Sequence, residues 1–388
     1  MSKQPGTSKN LNSDEFRRIM ENMKFMKKAE ESEEDSPYLP LDMGLFLTGR
    51  CNLRCKHCFE WNQDGFLTNG TAEYSNGELP IEMIRDCLDY TAPAKTRLYL
   101  WGGEPLLYSH FHQLTEYLKK DPRWTTICTN GLMIERNLDD ILDISENLVL
   151  LISLDGFSDS NDAIRGIGTF DQVISNIKKM IDLKKQGRYL GEISVCCVIS
   201  DPMVGRLYEF AEFMESLEIN TLYLSFPWYI SPETADMMDE EVKRRFGDII
   251  EMSDEKNASW HDFTFHISPE KIDSLKEDMQ KISDRKWKIR VRFQPAINPS
   301  EIDDFILGGV STAQGRSKCL VPFNRIDILQ NGEISACKLF KEFSIGNLHD
   351  ESIKDIWEGE RMKEMRSRLK CGLMPACSKC VLLYLNGE

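Results

Sequence analysis

The sequence predicts an α/β fold: a partial (β/α)6, TIM-like barrel followed by a small cysteine-rich α+β domain. Three observations predict it. Between residues 41 and 228 short apolar runs alternate with amphipathic helical patterns, the mark of parallel strands joined by right-handed crossovers. Over 229–318 that rhythm breaks. Beyond 319 a hairpin pattern appears together with five of the chain's twelve cysteines.

In chain order, residues 1–40 read as peripheral. Asn12 or Ser13 caps a helix in which Phe16, Ile19, Met20, Met23 and Met26 share one face, and a charged run at 31–35 links it onward. Strands are predicted over 43–48, 97–101, 124–128, 148–154, 192–199 and 221–226. The clearest helix is 204–217, where Leu207, Phe210, Ala211, Met214 and Leu217 line one side. Six strand–helix units suggest a barrel or partial barrel, whose chemistry gathers at the carboxyl ends of the strands. The stretch 229–318 reads as an insertion or bridge. It carries charged helical patterns (237–251, 268–283), the aromatics Trp260, Phe263 and Phe265, and a strand-like run at 288–293. In 319–388, Asn331-Gly332 turns between strand-like runs at 325–329 and 333–337. A helix is predicted over 352–368, with Ile353, Ile356 and Trp357 inward. The expected division is therefore 1–40, 41–228, 229–318 and 319–388.

Composition narrows the class. At 388 residues, 41% hydrophobic and 29% charged, the chain has the make-up of a globular protein of enzyme size. No apolar run approaches the roughly 20 residues of a membrane helix, and the first ten residues lack the apolar core of a secretory signal. A reducing cytoplasm is the expected compartment, and twelve cysteines there favour metal ligation over disulfides. Lys and Arg total 48 against 63 Asp and Glu, a net charge of −15. That balance argues against general nucleic-acid binding, which needs a phosphate-neutralising face.

The most informative residues are Cys51, Cys55 and Cys58, in the run Thr48-Gly-Arg-Cys-Asn-Leu-Arg-Cys-Lys-His-Cys58. They directly follow an apolar stretch of Met43, Leu45, Phe46 and Leu47. Three thiolates can hold three corners of a [4Fe–4S] cube and leave the fourth iron without a protein ligand, whereas most iron–sulfur electron carriers use four. Zinc usually takes four ligands, often as paired C-x2-C units, and His57 would complete such a set only by crowding adjacent residues. Further motifs follow successive predicted strands: Gly102-Gly103-Glu104-Pro105, Thr129-Asn130-Gly131, Ser153-Leu154-Asp155-Gly156 and Ile164-Arg165-Gly166. Each alone has an ordinary reading, as a tight turn, a strand-to-loop transition or a solvated charge. Their order, together with the C-x3-C-x2-C spacing, resembles the radical S-adenosylmethionine (SAM) superfamily over about 41–228.

The second cysteine region contains Cys319, Cys337, Cys371, Cys377 and Cys380, with a G-x4-C unit from Gly332 and a C-x2-C pair at 377–380. It resembles the SPASM/Twitch auxiliary-cluster extension. Five cysteines are too few for two fully thiolate-ligated cubes, which favours the shorter Twitch form with one auxiliary [4Fe–4S] cluster. The expected ligands are Cys319, Cys337, Cys377 and Cys380, with Cys371 left over; a structural zinc in the same quartet remains the alternative.

These resemblances imply site roles. Cys51, Cys55 and Cys58 would hold the SAM-binding cluster. Gly102, Gly103 and Glu104 would receive the SAM amino group, Ser153 and Asp155 would lie near the ribose, and Arg165 would face the carboxylate. His57 stands where the family usually has a ring near adenine, and Thr129 and Asn130 belong to the same rim. The implied activity is reductive cleavage of SAM to a 5′-deoxyadenosyl radical that abstracts hydrogen from substrate, fed by an external flavodoxin- or ferredoxin-type reductant. The implied substrate is a residue of a ribosomally made peptide; alternatives are a sugar- or cyclitol-type alcohol and, more remotely, no catalysis at all. Segment 1–40 is too short for the leader-binding domain of some peptide-modifying relatives. Cys87, Cys128, Cys196 and Cys197 fall in apolar patterns and read as core. His110, His112, His261, His266 and His349 show no metal-ligand spacing, and Glu60 and Trp61 follow the cysteine loop without an assigned role.

Overall fold

Ten strands make one sheet: β1 (Asp42–Phe46), β2 (Arg97–Trp101), β3 (Thr125–Thr129), β4 (Leu148–Ser153), β5 (Glu192–Val198), β6 (Thr221–Ser225), β7 (Arg290–Gln294), β8 (Arg325–Ile328), β9 (Glu333–Ser335) and β10 (Ser344–Asn347). The computed structural model describes residues 38–63, 65–250, 258–310 and 313–387. The predicted N-terminal helix and its charged linker lie outside the described residues. The strand order is β10-β9-β8-β1-β2-β3-β4-β5-β6-β7. From β8 through β1 to β7 every pairing is parallel, while β9 and β10 add antiparallel partners.

All six predicted strands are present within two residues of their expected ends. The structure then adds a parallel strand on each side. The bridge contributes β7, which pairs with β6; its Arg-Val-Arg-Phe-Gln alternation leaves it only partly buried, as suits an edge. The hairpin strand β8 pairs with β1, so the C-terminal region continues the sheet of the first. Burying the sequence Arg325-Ile-Asp-Ile demands that its charges be matched. Arg325 Nε and Nη2 donate to Asp327 Oδ2 and Oδ1, each at 2.7 Å, in a bidentate pair. Gly44 of β1 makes room for that pair: a Cβ there would meet Asp327 Oδ1 at 1.9 Å.

Helices cover the sheet with the faces their periodicity predicts. The helix Leu207–Ser216 buries Leu207, Phe210, Ala211 and Met214 completely. Each large apolar side chain buried in this way contributes about 1.5–3 kcal/mol. It begins three residues later than expected because Gly205 stands at φ +90°, outside helical space. The bridge helices are Pro232–Phe246, capped by the Ser231 hydroxyl accepting from Thr234 N, and Ile272–Asp284. The predicted helix 352–368 is instead two, Ile353–Glu358 and Glu360–Lys370. Gly359 breaks it with an extended backbone (ψ 162°) that brings its Cα within a Cβ-excluding distance of Asp355 O, 2.4 Å from the ideal Cβ. Among the described residues no helix is long and apolar enough to cross a membrane.

Candidate functional site

The loop after β1 carries the cysteine triplet, and the end of β2 clamps it. Gly103 N donates to Thr48 O at 2.9 Å and Glu104 N to Arg50 O at 2.8 Å. A Cβ on Gly103 would lie 2.4 Å from Arg50 O and 2.5 Å from Gly49 O. The resemblance sets Gly102-Gly103 against the SAM amino group; the close approach observed is that of the cysteine loop's own backbone. Each sulfur receives a donor: Leu53 N to Cys51 at 3.4 Å, Trp61 N to Cys58 at 3.3 Å, and Arg165 Nη1 to Cys55 at 3.8 Å. Burial pushes the Cys51 thiol up to about 12 and raises Cys55 and Cys58 as well; Cys55 raises the other two further, while Arg165 opposes the rise at Cys55. Without metal these groups are protonated at neutral pH, so metal binding displaces protons.

The predicted rim residues converge around this loop, largely by binding one another. The fully buried Glu104 carboxylate accepts from Thr129 Oγ1 (2.7 Å), Asn130 N (2.7 Å) and Leu106 N (3.0 Å), which ties the ends of β2 and β3 together. Burial raises its pKa, and those hydrogen bonds oppose the rise. Asn130 Nδ2 donates to Asn52 Oδ1 in the cysteine loop at 2.8 Å. Asp155, also fully buried, pairs through Oδ2 with Arg165 Nε at 2.7 Å and His57 Nε2 at 2.6 Å, and accepts Val198 N on Oδ1 at 2.9 Å. Burial alone would push the Asp155 carboxyl up; Arg165 and His57 outweigh it and hold it well below the usual carboxylate range. The residues that the resemblance spread along SAM as adenine, ribose and carboxylate neighbours (His57, Asp155, Arg165) thus form one charged cluster beside Cys55. Ser153, at the end of β4, is partly buried.

The C-terminal quartet is assembled from separate segments. Cys319 bridges to Gly387, Cys337 follows β9, and Cys377 and Cys380 lie in and just after the short helical turn Pro375–Lys379. Burial raises all four thiols, Cys377 to about 12, and Cys319 and Cys337 both feel Cys377 and Cys380 electrostatically. Cys371 is exposed, and its thiol donates to Ser367 O at 3.5 Å. Among the described residues no three cysteine sulfurs lie within 4.8 Å of one another. A single tetrahedral zinc with Zn–S of about 2.3 Å would draw its sulfurs to about 3.8 Å. Lys379, inside the C-x2-C pair, is fully buried and donates to Phe305 O at 2.7 Å, anchoring this loop.

The bridge roofs the cysteine loop with aromatic rings. Phe263 stacks on Phe59 at 4.8 Å and Phe265 meets His57 edge-on at 5.4 Å, while Trp260 is buried against Phe340 at 5.6 Å. His261 does approach two carboxylates, Asp236 and Asp239. Asp239 is engaged by Trp260 Nε1 at 2.7 Å and His261 at 3.0 Å, a structural arrangement. Sequence reasoning missed Asn52, which lies between Cys51 and Cys55, so its place inside the motif was the available signal. Glu60, which the sequence left without a role, is buried, and burial pushes its carboxyl up to about 8.

The radical SAM superfamily model matches residues 45–211, and the model of the SPASM iron–sulfur cluster-binding domain matches 319–381. Pre-heme d1 synthase of Dinoroseobacter shibae is 31% identical over 46% of this chain, an alignment spanning only 41% of that relative's length. The antilisterial bacteriocin subtilosin biosynthesis protein AlbA of Bacillus subtilis is 24% identical over 90% of this chain and 69% of its own. The crystal structure of Streptococcus suis SuiB bound to precursor peptide SuiA superposes with a TM-score of 0.58 at 15% identity, covering 92% of this chain and 73% of that one. That likeness establishes the shared fold.

Proposed function

The chain carries a radical SAM domain with an SPASM iron–sulfur domain behind it, and from that premise we propose that it is an oxidoreductase acting on a residue of a ribosomally made peptide. The observation that supports the peptide reading is that the subtilosin biosynthesis protein resembles this chain over 90% of its length, the second cysteine region included; a relative described as modifying a tungsten cofactor matches over 87% and supports a non-peptide substrate. Pre-heme d1 synthase also favours this second reading, a small-molecule substrate such as the alcohol considered above.

SAM and the [4Fe–4S] clusters, when bound, supply reductive cleavage to a 5′-deoxyadenosyl radical and the electron transfer that accompanies it. In this reading the chain's own residues do the rest. Cys51, Cys55 and Cys58 hold the first cluster by three corners, and Cys319, Cys337, Cys377 and Cys380 hold one auxiliary cluster. Asp155 fixes Arg165 and His57 beside Cys55, and Glu104 fixes the strand ends on which SAM would rest. The aromatic roof of Phe59, Phe263 and Phe265 excludes water and competing hydrogen donors from the barrel mouth. Incubating reduced, reconstituted protein with peptides and metabolites from its native gene neighbourhood, followed by mass spectrometry, tests the reading. A peptide lighter by two hydrogens is expected; oxidation of an alcohol with no change in any peptide would establish the second reading instead.

A further inference from the structure

We propose that the seam between the barrel mouth and the SPASM domain holds a carboxylate-binding subsite whose donors are the Trp101 indole N–H, Lys338 and Lys341. A small cavity there is lined by Phe59, Phe66, Trp101, Cys337, Lys338 and Lys341, among others. Its hydrogen-bonding ledger is one-sided. Trp101 is only 7% exposed, and its Nε1 is buried without a hydrogen-bond partner. Buried donors are normally satisfied, so an orphan on a cavity wall marks a place for an acceptor. The Lys338 ammonium lies over the Tyr99 ring at 4.0 Å and the Trp101 ring at 5.4 Å, and Lys341 over Phe66 at 5.3 Å. Among the described residues neither lysine forms an ion pair. Lys338 acts electrostatically on the buried Glu60 carboxylate and Asp327 acts on Lys338, with no hydrogen bond from Lys338 to either among the described residues.

Most of the other polar groups at the cavity are already engaged. Both Asp327 oxygens serve Arg325, and the Glu342 carboxylate takes Ser259 N and Oγ. The Ser335 hydroxyl donates to Cys337 O at 2.8 Å. Two lysines and one N–H therefore line a largely apolar space with more donors than the neighbouring Asp327 and Glu60 engage, an excess that suits a carboxylate. The interior, ≈ 20 Å³, has room for a group little larger than a water, so it takes the end of a longer ligand. Trp101 abuts the Gly102-Gly103 clamp of the first cysteine loop and Lys338 abuts Cys337 of the second set. A carboxylate anchored there holds its parent molecule between the two.

The inference rests on the peptide reading for its source, an acidic side chain or a C-terminus, and the test separates these. Anaerobically reconstituted protein is titrated calorimetrically with N-acetylglycine (terminal carboxylate), N-acetylglutamate α-amide (side-chain carboxylate) and N-acetylglutamine α-amide (neutral). At least one carboxylate probe is expected to bind about tenfold or more tighter than the neutral probe. Lys338→Met should remove that preference and Lys338→Arg largely keep it, with iron content confirming folding of both; Trp101→Phe should weaken it by a smaller factor. Equal binding of all three probes, or a preference that survives Lys338→Met, overturns the subsite. Carboxylate binding without any peptide turnover would leave the subsite standing and refute the peptide reading, and peptide turnover without carboxylate preference would do the reverse.

Discussion

The two cysteine sites reach similar ends by opposite routes. The first takes its three sulfurs from eight consecutive residues in one loop. Backbone of β2 clamps that loop, and the charged Asp155–Arg165–His57 cluster braces it. The second draws four sulfurs from positions spread between 319 and 380, brought together by a hairpin, a helix pair and the anchored Lys379. A contiguous loop leaves one corner of a cube free for a ligand. Four sulfurs converging from separate segments can close a cluster, which suits storage or passage of an electron. Under the proposed function, the difference teaches that the reactive site would be specified locally and the auxiliary site by the whole fold.

Substitutions sharpen the contrast. Replacing Cys51, Cys55 and Cys58 together with Ala is expected to abolish SAM cleavage, measured as 5′-deoxyadenosine by chromatography. The Cys377→Ala/Cys380→Ala pair should retain part of that cleavage but lose substrate turnover, and full turnover would contradict an essential auxiliary role. Gly103→Ala must displace backbone, since its Cβ would sit 2.4 Å from Arg50 O. We expect it to cut cleavage at least about tenfold with iron lost from the first site only, a loss of about 1.4 kcal/mol or more in positioning. Asp155→Asn leaves the buried Arg165 without its counter-charge and should cost about 3–5 kcal/mol of unfolding free energy. Because the Asp155 pKa is lowered from 3.8 in the fold, that stabilisation is present above this value and fades as pH falls through the lower folded one. The gap between wild type and variant in denaturant titrations should therefore narrow on acidification. Smallest of all, Cys371→Ser should change neither iron content nor cleavage, because the residue is exposed and its thiol donates to Ser367 O.

Much of the fold was legible because periodicity and strand-end motifs are local. Helix Leu207–Ser216 buries the predicted stripe, and the cysteine triplet sits in the loop expected of it. What escaped was long-range. Nothing in the sequence of β8 announces that it pairs with β1, 283 positions away (325 − 42), or that Gly44 is small to admit Arg325 and Asp327. Most of the expected rim residues gather around the cysteine loop. Their mutual pairing was invisible, because a resemblance supplies a ligand's contacts and not the contacts side chains make with each other. Trp101 and Lys338, which the proposed subsite joins, belong to no motif; only the tertiary seam brings them together.

The most direct test of the central claim is the iron and acid-labile sulfide content of anaerobically reconstituted protein, compared with the two cysteine-set variants. The account predicts about eight of each per chain in the wild type, falling to about four in either variant. Zinc without sulfide in either site, or a wild-type content that neither variant lowers, would contradict it.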